Sequence, residues 1–175
     1  AEKKMTQARR ALLEAAGAQS AELTFTGSGS EADSLAIVGS AERFHGARRV
    51  LIFGGEHPAV LNTREQLERL GHTVETFPAR RDGVADLEKL AAALDENVGL
   101  VSCMQVNNET GAVQPVGEIA RLIREKCPGA LFHVDGVQGF LRVPLAFDQS
   151  GIDLYTCSGH KIHGPKGIGA LIARK

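Results

Sequence analysis

The fold class is decided by residues 23–33, LTFTGSGSEAD. The β-branched and aromatic residues in LTFT are typical of a strand, and the GSGS that follows is typical of a tight turn. The letters EAD open a helical stretch to about residue 44, and Ser30 with Asp33 three residues later matches a capping box. A strand that passes directly into a helix is the repeating unit of an α/β protein.

The same alternation of strand and helix continues on both sides of this stretch. An apolar stripe predicts a first helix over residues 3–16, with Gly17 as its C-cap. Further strands are predicted at residues 50–53, 73–77, 98–105, 131–134, 154–158 and 169–173, and further helices at 59–70, 86–94 and 116–126. The pattern predicts a three-layer α/β/α fold with a mostly parallel sheet, formed as a single domain over residues 1–175.

The composition argues against several kinds of partner. With 43% hydrophobic and 23% charged residues, the 175-residue chain is expected to be soluble. Its 20 Lys and Arg nearly balance 21 Asp and Glu, so nucleic-acid binding is not expected. No apolar run approaches the roughly 20 residues that span a bilayer, and the opening AEKKMTQARR is unlike a signal peptide. We therefore expect no membrane association and a cytoplasmic location.

Three cysteines, Cys103, Cys127 and Cys157, are an odd number without CxxC or Cys/His ligand spacing. This pattern argues against a disulfide framework and against a structural metal site. All three lie in or beside predicted regular elements rather than on a long loop. We expect reduced, inert thiols and no metal.

Polar and glycine-rich residues collect where predicted strands end. They occupy residues 27–30, 56–57, 107–109 and 135–138. Because ligands of open parallel sheets bind outside the carboxyl ends of the strands, these loops are expected to converge on one crevice. The clustering itself predicts a ligand site.

The turn at residues 27–30 has the composition of a phosphate cradle. Backbone N–H groups near Gly29, the Ser30 hydroxyl and the helix dipole behind them all favour a bound phosphate. The alternative is an ordinary strand-to-helix turn that needs small residues and an N-cap. Neither GxxxxGK(S/T) nor GxGxxG fits this stretch, which weakens a nucleotide-binding interpretation.

Lys161 lies in the segment SGHKIHGPKGIG at residues 158–169. A lysine between a strand end and a rigid Gly-Pro turn is held in one place, where desolvation and nearby cations can make it a nucleophilic amine. Such a lysine suits a Schiff base with an aldehyde. The alternative is a surface lysine in a loop, and the surrounding His, Gly and Pro argue against it.

Asp135 ends the apolar strand 131–134, where a carboxylate is costly unless it has a cationic partner. A protonated pyridine nitrogen would be that partner, and the carboxylate would then keep the ring an electron sink. The alternative is an N-cap of a following helix.

His57 can stack on a planar cofactor and move protons near neutral pH, or it can simply precede Pro58 at a helix start. Asn108 and Gln138 can hydrogen-bond a phenolic oxygen or a substrate, with turn-forming and helix-surface roles as alternatives. His72 and His133 are interpreted as a surface and a core histidine.

Five of these stretches resemble the motifs of one family, the cysteine desulfurases, within the class V aminotransferase group of fold type I pyridoxal-phosphate enzymes. The matching stretches are FTGSGSEADSLAI (25–37), EHPAV (56–60), VNNETG (106–111), HVDGVQ (133–138) and SGHKIHGPKGIG (158–169). Two departures are visible: GSGS replaces a commoner SGAT-like order, and Gly136 replaces the usual Ala.

The resemblance implies the large-domain fold of these enzymes, pyridoxal 5′-phosphate as cofactor, and a role for each matching residue. Lys161 would carry the cofactor, Asp135 would pair with the pyridine nitrogen and His57 would stack on the ring. Gln138 and Asn108 would hold the phenolic oxygen side, and Gly29, Ser30, Ser158 and His160 the phosphate.

The resemblance also implies an activity for the longer protein of which we expect this chain to be a piece. L-cysteine would be converted to L-alanine and a persulfide on a loop cysteine outside these residues, and the sulfur would pass to a scaffold or acceptor protein for iron–sulfur clusters or thiolated nucleotides. A homodimer is implied, and this chain alone is not expected to complete a turnover. The alternatives are a selenocysteine lyase or another class V lyase or aminotransferase, and a non-catalytic cofactor-binding or interaction module.

Overall fold

The computed structural model describes residues 2–46 and 48–175. Within them the strands are β1 (Glu22–Thr26), β2 (Arg49–Phe53), β3 (Thr73–Phe77), β4 (Val98–Ser102), β5 (Leu131–Asp135), β6 (Leu154–Ser158) and β7 (Gly169–Ala173). The helices are α1 (Glu2–Ala15), α2 (Gly29–Ala41), α3 (Pro58–Leu61), α4 (Arg64–Arg69), α5 (Leu87–Ala93), α6 (Val116–Lys126) and α7 (Phe147–Ser150), with a 3₁₀ turn at Gly159–Ile162.

The described strands form one sheet in the order β1-β7-β6-β5-β4-β2-β3. Neighbours from β3 through β6 are parallel, and β7 runs antiparallel between β6 and β1. Because β1 therefore points the same way as β6, the carboxyl ends of β1, β2, β4, β5 and β6 share one edge. The predicted mostly parallel sheet is confirmed.

Helices cover both faces of the sheet, so the predicted three layers are also confirmed. On one face α2, α3 and α4 contribute Ile37, Val60 and Leu67 to a buried cluster. On the other face the largest cluster includes Leu90 of α5 and Phe147 of α7. Burying one such side chain contributes about 1.5–3 kcal/mol, so both layers hold the sheet in place. None of the helices in the described ranges is long and apolar enough to cross a membrane.

The strand β5 shows how alternation separates the apolar core from polar residues. Phe132 and Val134 belong to the cluster that α5, α6 and α7 cover. Successive side chains of a strand point to opposite faces, so His133 and Asp135 lie on the α2 face. Both are buried there.

Several element boundaries differ from the prediction. The helix expected over residues 59–70 is broken into α3 and α4 at Thr63, whose hydroxyl donates to the Val60 carbonyl 2.7 Å away instead of supporting a continuous helix. The strand expected to reach residue 105 ends at Ser102. The short α7 and the 3₁₀ turn were not predicted, since four residues carry little periodicity.

The interpretation of His72 as a surface residue was wrong. The side chain is buried. Its Nδ1 accepts from the backbone N–H of Arg48 at 3.2 Å, and its Nε2 lies 3.1 Å from the Ala41 carbonyl. The ring thereby ties β2 and β3 to the end of α2, a long-range contact that its local sequence does not reveal.

Candidate functional site

One cleft of about 280 Å³ lies at the carboxyl edge of the sheet. It is lined by all nine residues singled out from the sequence: Gly29, Ser30, His57, Asn108, Asp135, Gln138, Ser158, His160 and Lys161. Ser28, Met104 and Val137 also line it and were not predicted from the sequence. The expected convergence of strand-end loops is therefore present.

The Gly/Ser turn delivers the N-terminus of α2 to this cleft, but with a different cap from the one predicted. Ser28 is the N-cap, and its Oγ accepts from the Glu31 N–H at 3.1 Å while Glu31 Oε2 accepts from the Gly27 N–H at 2.7 Å. The predicted Ser30/Asp33 capping box was wrong by two positions. Because Ser28 supplies the cap, the exposed Ser30 is left to line the cleft. The helix also ends earlier than predicted, at Ala41 rather than near residue 44.

Gly29 allows this helix end to pack closely against the loop after β5 and the last residue of β6. A Cβ there would lie 2.8 Å from Val137 Cγ2 and 3.2 Å from Ser158 Cβ. The first N–H groups of a helix have no partner within the helix, and Gly29 and Ser30, the first two residues of α2, line the cleft. The arrangement is suited to an anion such as a phosphate.

Asp135 lies on the floor of the cleft and is 4% exposed. Its Oδ1 accepts from the Val137 N–H at 2.8 Å, so it caps a turn, although no helix follows there. Burial and the negative charge of Asp33 raise the pKa of Asp135 to about 7. None of the ion pairs within the described chain involves Asp135. A cationic group entering the cleft would relieve this cost.

Lys161 lies on the 3₁₀ turn and is half-buried at the cleft. Its backbone carbonyl accepts a hydrogen bond from the Arg142 guanidinium, which also donates to the Gln138 carbonyl at 3.1 Å. The turn is closed by a 2.8 Å bond from the Gly164 N–H to the Gly159 carbonyl. Arg142 thus fixes the loop after β6, which carries the amine, against the loop after β5.

The remaining polar side chains surround this centre. His57 is the N-cap of α3, and its Nδ1 accepts from the Ala59 N–H at 3.1 Å. Its exposed ring also lines the cleft, so the capping role and a role toward a ligand are compatible. Ser158 Oγ lies 2.9 Å from Nδ1 of His160, beside Gly29. Both side chains are placed where an anion at the α2 N-terminus would be met.

A chain of buried polar residues lies behind Asp135. Ser102 Oγ is 2.8 Å from Glu56 Oε1 and 2.9 Å from His133 Nδ1, and His133 Nε2 is 3.5 Å from Asp33 Oδ1. Burial, followed by the charge of Asp135, raises the pKa of Glu56 well above its ordinary value. His133 is a core residue, as predicted, but period-two alternation with Asp135 could also have indicated its polar neighbours.

Tyr155 explains why glycine follows Asp135. A Cβ on Gly136 would lie 1.9 Å from Tyr155 Cζ and 2.2 Å from its hydroxyl oxygen. The ring is fully buried, and its hydroxyl donates to Gln105 Oε1 at 2.7 Å. The ring therefore occupies the space that an alanine methyl would need.

The three cysteines are buried and none of them lines the cleft. Burial raises the pKa of Cys103 well above its ordinary value, that of Cys157 to about 12, and that of Cys127 as well. Within residues 2–46 and 48–175, no group of three or more His, Cys, Asp and Glu is placed to hold a metal ion.

A lysine, a buried carboxylate and a helix N-terminus meet at one cleft of this α/β fold. Comparison with known protein families identifies the class of protein to which the chain belongs. The chain belongs to the aminotransferase class-V family, which it matches over residues 1–175.

Two relatives show which members of this family the chain resembles. The chain is 43% identical over 173 residues to a cysteine desulfurase of Nostoc sp., covering 99% of this chain and 43% of that protein. It is also 43% identical over 176 residues to cysteine desulfurase IscS of Pectobacterium atrosepticum, covering 100% and 43%. The chain thus spans less than half the length of these relatives.

Two solved structures have the same fold as this chain. A NifS-like protein superposes with a TM-score of 0.93 at 35% identity, covering 98% of this chain and 47% of that one. SspA in complex with cysteine superposes with a TM-score of 0.91 at 35% identity, covering 99% and 51%.

The contact between Gly136 and Tyr155 predicts a specific pattern of stability. Gly136→Ala should lower the free energy of unfolding by about 1–3 kcal/mol, because the methyl overlaps a ring that cannot move. In a Tyr155→Leu background the same change should cost at least about 1 kcal/mol less. Urea unfolding of the four proteins measures this. Gly117→Ala, where nothing lies within 4 Å, is the control and should be neutral or stabilising. Equal costs of Gly136→Ala in both backgrounds would contradict the account.

The buried cysteines predict a slow native thiol reaction. A disulfide reagent such as DTNB should modify none of Cys103, Cys127 and Cys157 within minutes in the folded protein, since the thiolate is the reactive form and burial disfavours it. All three should react at once in urea. Rapid modification of any one in the native state would show that its thiol is available.

Proposed function

We propose that this chain is the cofactor-binding part of a pyridoxal-phosphate-dependent cysteine desulfurase, with residues 1–175 forming a single cofactor-binding domain. The observation that carries the proposal is Asp135, a buried carboxylate without an ion-pair partner in the described chain, at the floor of the cleft that Lys161 lines. The likeness to cysteine desulfurases supports the choice within the family.

The residues of the cleft fit the separate chemical parts of pyridoxal 5′-phosphate. Gly29 and Ser30 at the α2 N-terminus, with Ser158 and His160 beside them, suit the phosphate. Asp135 suits a cationic ring nitrogen, and Asn108 and Gln138 suit the phenolic oxygen. His57, whose Nδ1 accepts from the backbone, lines the cleft with an aromatic ring that suits stacking on the cofactor.

In the proposed reaction, the cofactor and the residues of this chain have separate chemical roles. When bound, pyridoxal 5′-phosphate supplies an aldehyde carbon that reacts with amines and a ring that withdraws electrons from the substrate. Lys161 would provide the amine that holds the cofactor. Asp135 would keep a proton on the ring nitrogen, and His57 would exchange protons beside the cofactor. Arg142 donates hydrogen bonds to both loops and so holds Lys161 at a fixed position relative to the loop after Asp135.

We propose L-cysteine as the substrate, L-alanine and a persulfide as products, and a scaffold or other sulfur-acceptor protein as the next carrier. The names of the relatives and the cysteine complex of SspA support this substrate. The sulfur-accepting thiol is none of Cys103, Cys127 and Cys157, since all three are buried and none of them lines the cleft. A homodimer in the cytoplasm, contributing to iron–sulfur cluster synthesis, completes the proposal.

The assignment of Lys161 is tested by trapping. Pyridoxal 5′-phosphate added to this chain should produce a yellow absorbance band, and borohydride reduction should fix the label on Lys161, identified by peptide mass spectrometry. Lys161→Ala should lose this adduct. Lys166→Ala, which removes an exposed amine from the same loop, should keep it.

The cofactor assignment would be wrong if the label spread over exposed lysines, or if Lys161→Ala left the adduct unchanged. The substrate is tested on the same protein by adding L-cysteine or L-selenocysteine to the yellow form. A spectral change with L-selenocysteine alone would favour a selenocysteine lyase.

A further inference from the structure

Two residues other than glycine have a positive φ in the described chain, and both lie beside the contact between Arg142 and Lys161. Leu141 has a φ of 63° and His163 a φ of 64°. Leu141 directly precedes Arg142, and His163 ends the 3₁₀ turn that carries Lys161. Strained backbone of this kind concentrates at functional sites, where the surrounding structure holds it in place. The pair therefore draws attention to the junction of these two loops.

Leu141 is the more unusual of the two, because a bulky residue seldom adopts this conformation whereas histidine does so more often. It is the third residue of a tight turn in which the Arg142 N–H donates to the Gly139 carbonyl at 2.9 Å. A turn with a positive φ at its third residue usually has Gly or Asn there. Burial does not offset the strain, since Leu141 is 60% exposed. The strain is therefore explained by how the turn places a neighbouring residue rather than by the leucine side chain.

The turn separates a buried neighbour from an exposed one. Phe140 is buried in the largest apolar cluster and anchors the backbone there. Arg142 lies on the surface, and its guanidinium donates to the carbonyls of Gln138 and Lys161. Because the backbone is anchored at Phe140, a different φ at Leu141 would direct Arg142 away from these carbonyls.

Both acceptors of Arg142 are carbonyls that the backbone leaves free. No backbone N–H in the described chain donates to the carbonyl of Gln138 or of Lys161. The N–H groups that follow the 3₁₀ turn, those of His163 and Gly164, both donate to the first residue of that turn instead. An arginine can bind two carbonyls at once, because its N–H groups are held in a rigid fork. Without the guanidinium, both carbonyls would depend on water.

We propose that Leu141 is a positioning residue for Lys161: its left-handed backbone directs Arg142 to the two carbonyls, and the resulting bridge fixes the turn that carries the amine. Leu141 acts only through Arg142, since it does not itself line the cleft. The use of the amine to hold a cofactor rests on the proposed function, whereas the bridge and the strain at Leu141 do not.

The first test measures hydrogen exchange in the ligand-free chain at the N–H groups of His163 and Gly164, which close the turn. Arg142→Met keeps a long side chain and removes every donor, so both N–H groups should exchange about fivefold faster or more. Arg142→Lys keeps the charge but has a single donor atom, so its effect should be smaller. Arg121→Met is the control, because Arg121 pairs with Glu125 on α6, and it should change neither rate.

The second test changes the conformational preference at Leu141 while Arg142 is kept. Leu141→Asn accepts the left-handed conformation, so exchange at the same two N–H groups should stay within about twofold of the wild type. Leu141→Val opposes that conformation, because its side chain is β-branched, and exchange should rise about threefold or more. In the Arg142→Met protein, Leu141→Val should change exchange by less than about twofold, since its effect passes through the guanidinium.

Either of two results would overturn the proposal. If Arg142→Met leaves exchange at His163 and Gly164 unchanged, the guanidinium does not fix the turn. If Leu141→Val has no effect there, or has the same effect with and without the guanidinium, Leu141 does not act through Arg142.

A third measurement connects the bridge to the amine. After labelling with pyridoxal 5′-phosphate and borohydride, the ratio of label on Lys161 to label on the exposed Lys166 of the same loop reports how well Lys161 is placed. Leu141→Val and Arg142→Met should each lower this ratio about threefold or more, and Leu141→Asn should keep it. An unchanged ratio in the first two variants would refute the positioning of the amine. A wild type that shows no preference for Lys161 would instead refute the proposed function, and the two ligand-free tests would still decide whether the bridge exists.

Discussion

The hydrogen-bonded register of β5 between β4 and β6 is the constraint on which the site depends. It places His133 beside Ser102 and Asp135 beside Thr156, all on the face that α2 covers. It also brings the loops that follow β5 and β6 together, where Arg142 donates to both. A shift of one residue would turn these polar groups toward the apolar cluster on the other face, at a cost of several kcal/mol. The fold and the cleft are therefore specified by the same pairing.

The cleft is built from groups that weaken the ligand-free protein. Asp135 is buried near Asp33 without a cationic partner in the described chain, and Glu56 Oε2 lacks a hydrogen bond. The folded pKa of Asp135 is about 7, above the ordinary 3.8. Because the folded chain holds this proton more tightly than the unfolded chain, the Asp135 carboxyl has little effect on stability below about pH 4. It becomes destabilising as the pH rises from about 4 to 7, and it remains so above pH 7. Such a site gains most from a ligand that brings a positive charge.

Local sequence was sufficient to predict much of the fold and of the cleft. The strands 154–158 and 169–173 and the helix 116–126 have the predicted bounds, because their apolar periods end at clear turns. Six of the nine cleft residues lie in loops that were expected to meet because strand ends in a parallel sheet share one edge. Lys161 was singled out by the rigid Gly-Pro segment around it, and Ser158 and His160 only by the resemblance to the cysteine desulfurases. The hydrogen bond between Thr156 and Asp33 was not predicted, since the two residues lie 123 positions apart in the sequence. The capping box was misplaced because Ser28 and Ser30 are both chemically able to cap.

Asp135 lowers the stability of the ligand-free protein and is stabilised when a cationic ligand binds. Urea unfolding at pH 8 with and without pyridoxal 5′-phosphate tests this claim directly. Asp135→Asn keeps the acceptor for the Val137 N–H and removes the charge. Without cofactor the variant should be more stable than the wild type by about 1 kcal/mol or more. With cofactor, the added stabilisation should be smaller for the variant than for the wild type, since its affinity is lower. A variant that is less stable when empty and equally stabilised by the cofactor would contradict the account.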